Sequence, residues 1–167
     1  APDKSYALIS TAAGVFRYVP PTTPEGAWDV TCLLVQPTSD IVATDFDGDG
    51  KLEILTFSKF HGDTLAIWHE GQTRDRYEQV WCDPQKRSFL HALWAADLNG
   101  EKCAVIGNRK DGRDLLLVRY VDGEYTVDVI DHDLGPANCM VYRHDGSDYI
   151  VAAYRETDQL ALYKVVE

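Results

Sequence analysis

The 167-residue sequence predicts an all-β fold, and three observations carry that prediction. From Tyr6 onward, short apolar runs alternate with clusters of Gly, Pro, Asp and Asn, the pattern of strands and turns. No stretch keeps the helical period of an amphipathic helix. The strand pattern also returns after 52 and then 46 residues, marked by Asp45, Asp97 and Arg143, and self-similarity at such spacing is the signature of a repeat architecture.

Tyr6–Thr11 and Gly14–Val19 read as the first two strands, and Trp28–Val35 as the third, after the turn-rich stretch from Pro20 to Gly26. Two more, ending at Thr44 and beginning at Ile54, flank the acidic stretch Asp45–Glu53, and Asp63–His69 and Tyr77–Cys82 follow. The pattern then starts again. Phe89–Gly100 lies over Pro37–Gly48, Cys103–Arg109 over Glu53–Lys59, and Asp114–Arg119 over Asp63–Trp68, with Tyr125–Ile130 in the place of Tyr77–Cys82. A third copy runs from Asn138 through Tyr149–Arg155 to Gln159–Val165. Tyr6–Thr11 matches the second strand of a unit and the closing copy stops after its third, so the strands group as three, four, four and three.

Four-stranded antiparallel units repeated at this period are the blades of a β-propeller; the alternative, a flat β-sandwich, predicts no such self-similarity. The expectation is a single propeller segment over residues 1–167. Its units fall at about 3–37 (partial), 38–84, 89–134 and 136–167 (partial), about three and a half blades. Each end then presents an unpaired sheet edge, and unpaired edges recruit partners. The chain is therefore expected to be a fragment of a larger propeller, or half of a ring completed by a second chain, with seven blades when the strands of two copies are pooled.

The stretch from Asp45 to Glu53 (DFDGDGKLE) sets three Asp side chains at alternate positions and an acid four residues further on. Only Lys51 supplies positive charge nearby, so these carboxylates repel one another unless a cation sits among them. Calcium takes about six to eight such hard oxygens, and the glycines allow the tight backbone that gathers them. An EF-hand would need its bidentate Glu where Thr56 stands, and helices on both sides. A plain Asp/Gly hairpin turn without an ion is the alternative.

On these residues the chain resembles the FG-GAP/VCBS repeat family of propellers, whose blades often hold a D-x-D-x-D-G-x-x-[DE]-like calcium loop between their first two strands. The resemblance implies calcium bound by Asp45, Asp47, Asp49 and Glu53 with the backbone carbonyl of Lys51. Its role would be structural, because all ligands come from one hairpin and few positions stay open. The second copy keeps Asp97 and Asn99 but lacks the Asp49-Gly50 pair, and the third has Arg143 at the first ligand position, so neither is expected to bind metal. The family spans adhesion receptors, lectin-like modules and some lyases, so it does not settle a function.

In a propeller the first strand of each blade lines the central channel, and ligands gather at its mouth. Asp40, Ala92 and Asn138 open those strands in register. Lys59, Arg109 and Arg155 occupy one equivalent place in three units, a candidate cradle for an anionic ligand such as a sugar acid. The competing reading pairs each with a nearby acid such as Asp111, Asp114, Glu156 or Asp158. Trp94 is a candidate sugar-facing ring. His91 is a candidate general base, with Tyr154 as acid and Arg109 neutralising developing charge, as in some propeller lyases and dehydratases; the plainer role is a hydrogen-bonded structural histidine. His61, His69, His132 and His144 fall in turns and strand ends without the helical spacing of a zinc site.

Composition excludes some partners. A net charge of −11 argues against nucleic acid, and no apolar run is long enough for a membrane helix. Cys32, Cys82, Cys103 and Cys139 follow no metal spacing and lie in or beside apolar runs, so free thiols are expected. Free thiols favour the cytoplasm, whereas a calcium loop favours an extracellular or periplasmic setting, and the compartment stays open. The leading functional expectation is a calcium-stabilised module that binds carbohydrate or protein. A lyase- or dehydratase-type enzyme with its site at the channel mouth is the alternative, and half of a larger propeller without separate activity is the third.

Overall fold

A computed structural model describes residues 5–166. The expected unit start near residue 3 and the chain end at Glu167 lie outside the described residues. Fourteen strands and no helix form among them. The first sheet contains β1 (Ala7–Thr11), β2 (Gly14–Val19) and β3 (Asp29–Leu34); the second contains β4 (Thr38–Thr44), β5 (Glu53–Ser58), β6 (Leu65–Glu70) and β7 (Tyr77–Cys82). The third contains β8 (Leu90–Leu98), β9 (Glu101–Asn108), β10 (Leu115–Val121) and β11 (Glu124–Asp131); the fourth contains β12 (Pro136–His144), β13 (Ser147–Tyr154) and β14 (Gln159–Lys164). Each sheet is an antiparallel meander in chain order.

Irregularities in pairing recur at equivalent places and fix how the sheets correspond. The register shifts near the start of the β4–β5, β8–β9 and β12–β13 pairs, at Thr38/Asp40, Leu90/Ala92 and Pro136/Asn138. A second shift falls in the β2–β3 and β10–β11 pairs, at Val15/Phe16 and Leu115/Leu116, and two residues further along in β6–β7, at Ile67/Trp68. Bulges of this kind are positional features rather than defects. The first sheet therefore matches the last three strands of a four-stranded unit, and the fourth sheet matches the first three.

The sheets pack face to face through three apolar clusters. Val15, Leu33 and Leu34 of the first sheet meet Ile54 of the second. Leu55, Phe57, Leu65 and Ile67 of the second meet Leu90, Ala104, Ile106, Leu116 and Val118 of the third. Ala92, Cys103, Val105 and Leu115 of the third meet Cys139, Ile150, Ala152 and Tyr154 of the fourth. Alternation along one strand sends neighbours to opposite clusters: Ile54 faces one way and Leu55 the other, as do Val105 and Ile106. Two-sided burial explains why β5 and β9 read as continuous apolar runs, and each fully buried Leu or Ile contributes roughly 1.5–3 kcal/mol. The first strands follow one another in space, β4 against β8 and β8 against β12. All four cysteines are unbonded, and burial pushes the Cys103 and Cys139 thiols up to about 12.

The linker from the second sheet to the third is pinned by a buried ion pair. Arg87 Nε donates to Asp83 Oδ2 at 2.8 Å, and Arg87 Nη1 lies 3.7 Å from Asp114 Oδ2.

Gly107 sits where Pro136 of the fourth sheet packs closely against the third. A Cβ there would lie 2.6 Å from Pro136 Cγ and 2.9 Å from Ala92 Cβ. Gly107→Ala is expected to destabilise by roughly 1–3 kcal/mol, the usual range for overpacking a filled core. Urea unfolding checks this; an unchanged midpoint would mean that the two sheets separate freely at this point.

Candidate metal centre and adjoining grooves

The hairpins joining the first two strands of three sheets differ in a telling way. Six residues separate the paired Ala96 and Cys103, and six separate Tyr142 and Tyr149, whereas eight separate Thr44 and Glu53. The two shorter hairpins close on Asn99-Gly100 and Asp145-Gly146, with positive φ at both residues (53° and 89°, 47° and 76°), the backbone of a type I′ turn. They carry their own counter-charges: Lys102 Nζ lies 2.7 Å from Asp97 Oδ2, and Arg143 Nη1 lies 3.4 Å from Asp148 Oδ1.

The longer hairpin is organised by carboxylates instead. Asp45 accepts the backbone N–H groups of Gly48 (2.9 Å) and Gly50 (3.1 Å), one on each carboxylate oxygen. Asp47 Oδ1 accepts from Asp49 N–H (3.0 Å), and Asp49 Oδ1 from Lys51 N–H (2.8 Å). Positive φ at Gly48 and Gly50 lets the backbone curl around these side chains. Phe46 points the other way, into the cluster between the second and third sheets.

Glu53 begins β5 and is 0% exposed. Its Oε2 accepts the Phe46 N–H at 2.5 Å, while its Oε1 is buried with no hydrogen-bond partner. His69 at the end of β6 faces it, its Nε2 lying 3.5 Å from Glu53 Oε1 and 3.2 Å from Asp49 Oδ2. His69 Nδ1 lies 2.8 Å from the Glu70 carbonyl oxygen; an N–H donated there leaves the Nε2 lone pair facing the carboxylates. Asp47, Asp49, Glu53 and His69 each offer a ligand atom within 4.8 Å of the others, and the group can hold a metal ion. Asp45 lies outside that group of four.

Electrostatics reflect the crowding. Burial, and then repulsion from Asp47, pushes the Glu53 carboxyl up to about 7 against the pull of the Phe46 N–H. The Lys51 N–H holds Asp49 below the usual carboxylate range. Burial pulls His69 down, but its bonds to Glu70 and Asp49 outweigh this and leave it above its ordinary value. A buried carboxylate oxygen without a donor is expensive, and a cation satisfies it. An anchored imidazole turned towards three carboxylates is likewise a common arrangement beside metals. The residues present therefore fit a divalent cation.

His69 is the residue that sequence spacing missed. Its signal is the pairing of β5 with β6: Ile54 opposes Trp68, so Glu53 and His69 fall opposite one another on one face. A groove of about 590 Å³ adjoins the cluster, lined by Asp47, Asp49, His69, Trp81, Tyr120 and Tyr125. Burial, and then the Glu53 and Asp47 carboxylates, raise the Tyr125 hydroxyl well beyond its ordinary value.

The channel-mouth candidates separate. Arg109 donates to Glu156 through Nε (3.0 Å) and Nη2 (2.5 Å), and its guanidinium lies 5.1 Å from the Phe89 ring centroid. The pairing alternative thus holds for Arg109, while Lys59 and Arg155 are exposed and in no ion pair among the described residues. His91 Nδ1 lies 2.8 Å from the Ala137 carbonyl oxygen, and its ring stacks on His61 (5.1 Å) and Phe89 (6.1 Å). Asp40 joins His61 and His91 along a groove of about 180 Å³. Tyr154 is buried, and its hydroxyl shares a hydrogen bond with Tyr163, which donates to Asp131 at 2.6 Å. Trp94, 41% exposed, lines a separate groove with Tyr142 and Arg143. Asn138 is exposed, and its Oδ1 accepts the Cys139 N–H.

Comparison with known protein families returned no match, and comparison with curated proteins returned none either.

The raised Glu53 predicts a pH dependence for the metal-free chain. Between its ordinary 4.5 and about 7 the folded chain holds a proton that the unfolded chain has released. Stability from this group is therefore full below that window and falls as pH rises through it, by at most about 1.4 kcal/mol per pH unit. Urea unfolding in chelator at about pH 5 and about pH 7.5 measures the decline. Glu53→Gln, which keeps the side-chain volume and an acceptor for Phe46, is expected to flatten it. An equal decline in Glu53→Gln would remove Glu53 as the cause.

Proposed function

We propose that this chain is a calcium-stabilised segment of a β-propeller that serves as a binding or interaction module for carbohydrate or protein. The observation that carries the reading is the buried Glu53 carboxylate, its Oε1 unpartnered beside Asp47, Asp49 and His69. Calcium is the cation proposed because three of the four donors are hard carboxylates. Asp47, Asp49 and Glu53 would hold it, with Asp45 and the Lys51 carbonyl as the remaining ligands of the motif. The ion supplies charge neutralisation, and the hairpin supplies its own folding around Asp45. His69, held above its ordinary value by its bonds to Glu70 and Asp49, offers Nε2 to the same cluster.

The propeller reading is supported by the repeated four-stranded meanders, the recurring bulges and the succession of β4, β8 and β12. In that frame the first sheet wants a first strand and the fourth sheet a last one. Strands from a second chain or from further blades fill these two places, giving a larger ring such as one of seven blades. A lyase- or dehydratase-type activity is the second reading, favoured by the anchored Nδ1 of His91, which leaves Nε2 to act as base. Binding is preferred because Tyr154 and Arg109 are engaged with Tyr163 and Glu156.

Thermal unfolding in calcium and in chelator tests the proposal. Calcium at a hundred times its Kd is expected to stabilise the chain by about 2.7 kcal/mol, roughly 5–10 °C in Tm for a chain of this size. Asp47→Ala is expected to lose most of that gain. Equal melting in calcium and in chelator sinks the calcium reading. A gain that manganese or zinc gives and calcium does not, abolished by His69→Ala, would reassign the site to a transition metal.

A further inference from the structure

The groove beside the acidic hairpin is more than a gap between sheets. Its floor comes from the β4–β5 hairpin and the end of β6, and its walls from β7 and from the β10–β11 hairpin of the next sheet. At about 590 Å³ it has the size of a small-molecule site. Its walls are aromatic: Tyr125 lies 4.8 Å from Tyr120 and 6.0 Å from Trp81 between ring centroids, and meets Phe46 edge-on at 6.2 Å. The three wall rings are only partly buried. Asp47 and Asp49 line the groove, and the Asp49 side chain is 40% exposed, so the carboxylate cluster opens towards it. The expectation of a structural ion rested on every ligand coming from one hairpin; His69, from the facing strand β6, joins the same group.

We propose that this groove is a cation-anchored site for neutral carbohydrate, in which vicinal hydroxyls of a sugar complete the coordination of the ion held by Asp47, Asp49 and Glu53 while the ring lies against Trp81, Tyr120 and Tyr125. The inference rests on the metal reading above and adds the ligand. Calcium takes about six to eight oxygens, more than four carboxylates and one carbonyl fill singly, and Asp47 and Asp49 among them line the groove. Hydroxyl pairs are hard oxygen donors that replace bound water without bringing charge. The apolar C–H face of a pyranose suits an aromatic wall. A charged ligand is disfavoured: Asp47, Asp49 and Glu53 already exceed the ion's charge, Glu124 lies at the same groove, and the chain carries −11 overall. The site is distinct from the basic positions Lys59, Arg109 and Arg155, which would have drawn a sugar acid.

The test separates ion from sugar. Calcium affinity is measured by titration calorimetry, and binding of methyl α-mannoside, methyl β-galactoside and methyl β-glucoside by saturation-transfer NMR and calorimetry, each in calcium and in chelator. At least one glycoside is expected to bind in calcium and to be lost in chelator. Trp81→Ala is expected to weaken that binding about tenfold or more, equivalent to about 1.4 kcal/mol, with calcium affinity unchanged. Trp81 also packs against the core, so Val80→Arg, at a 51% exposed position lining the groove, provides a second variant that leaves the core alone. It is expected to block the sugar and spare the ion. Calcium binding with no glycoside bound overturns this inference and leaves the metal reading standing, as does glycoside binding that survives chelator or both variants. Failure of calcium itself to bind overturns both.

Discussion

No sheet in this chain has a core of its own. The central strands β5 and β9 are buried on both faces, and successive residues serve different interfaces, so the second and third sheets share their cores with neighbours on either side. Stability in such an arrangement is a sum over interfaces rather than a property of one centre. Small side chains at this close crossing follow from the same demand. Gly107 and Ala92 stand opposite Pro136 because the third and fourth sheets leave no room for more.

The polar features sit where this stacking leaves the hairpins. Short hairpins satisfy themselves with a two-residue turn and a local ion pair. The hairpin after Thr44 gathers four carboxylates, one of them buried and only half satisfied. Removing a charge from water without a partner is among the more costly things a fold does, and here the carboxyl of Glu53 responds by holding its proton towards neutral pH. His69 offers partial relief from the facing strand. The same sheet junction that buries Glu53 brings Trp81, Tyr120 and Tyr125 alongside.

Much of the fold was legible in the residues. Strand positions followed from apolar runs and turn clusters, and the displaced frame of the first and last sheets followed from matching Tyr6–Thr11 to a second strand; the recurring bulges carry the same correspondence. The acidic hairpin was legible because Asp at alternate positions with Gly has few uses. What spacing did not reveal depends on register or on stacking. His69 joins Glu53 only through the β5–β6 pairing. Arg109 finds Glu156 across 47 positions of sequence, and Tyr154 turns its hydroxyl to Tyr163 rather than to the cleft of His91. The aromatic groove belongs to two sheets, so no window along the chain contains it.

Phe46 and Leu98 hold equivalent places, each just inside its hairpin and each buried against the following sheet. The hairpins of the second and third sheets therefore keep the same apolar plug, and they differ by two residues between the strands. A two-residue insertion after such a plug accompanies the change from a corner that satisfies itself to one that gathers four carboxylates, one of them buried and half satisfied. Repeat chains can thus concentrate or disperse charge unit by unit, through small insertions in the hairpins, while the apolar layers beneath keep their pattern.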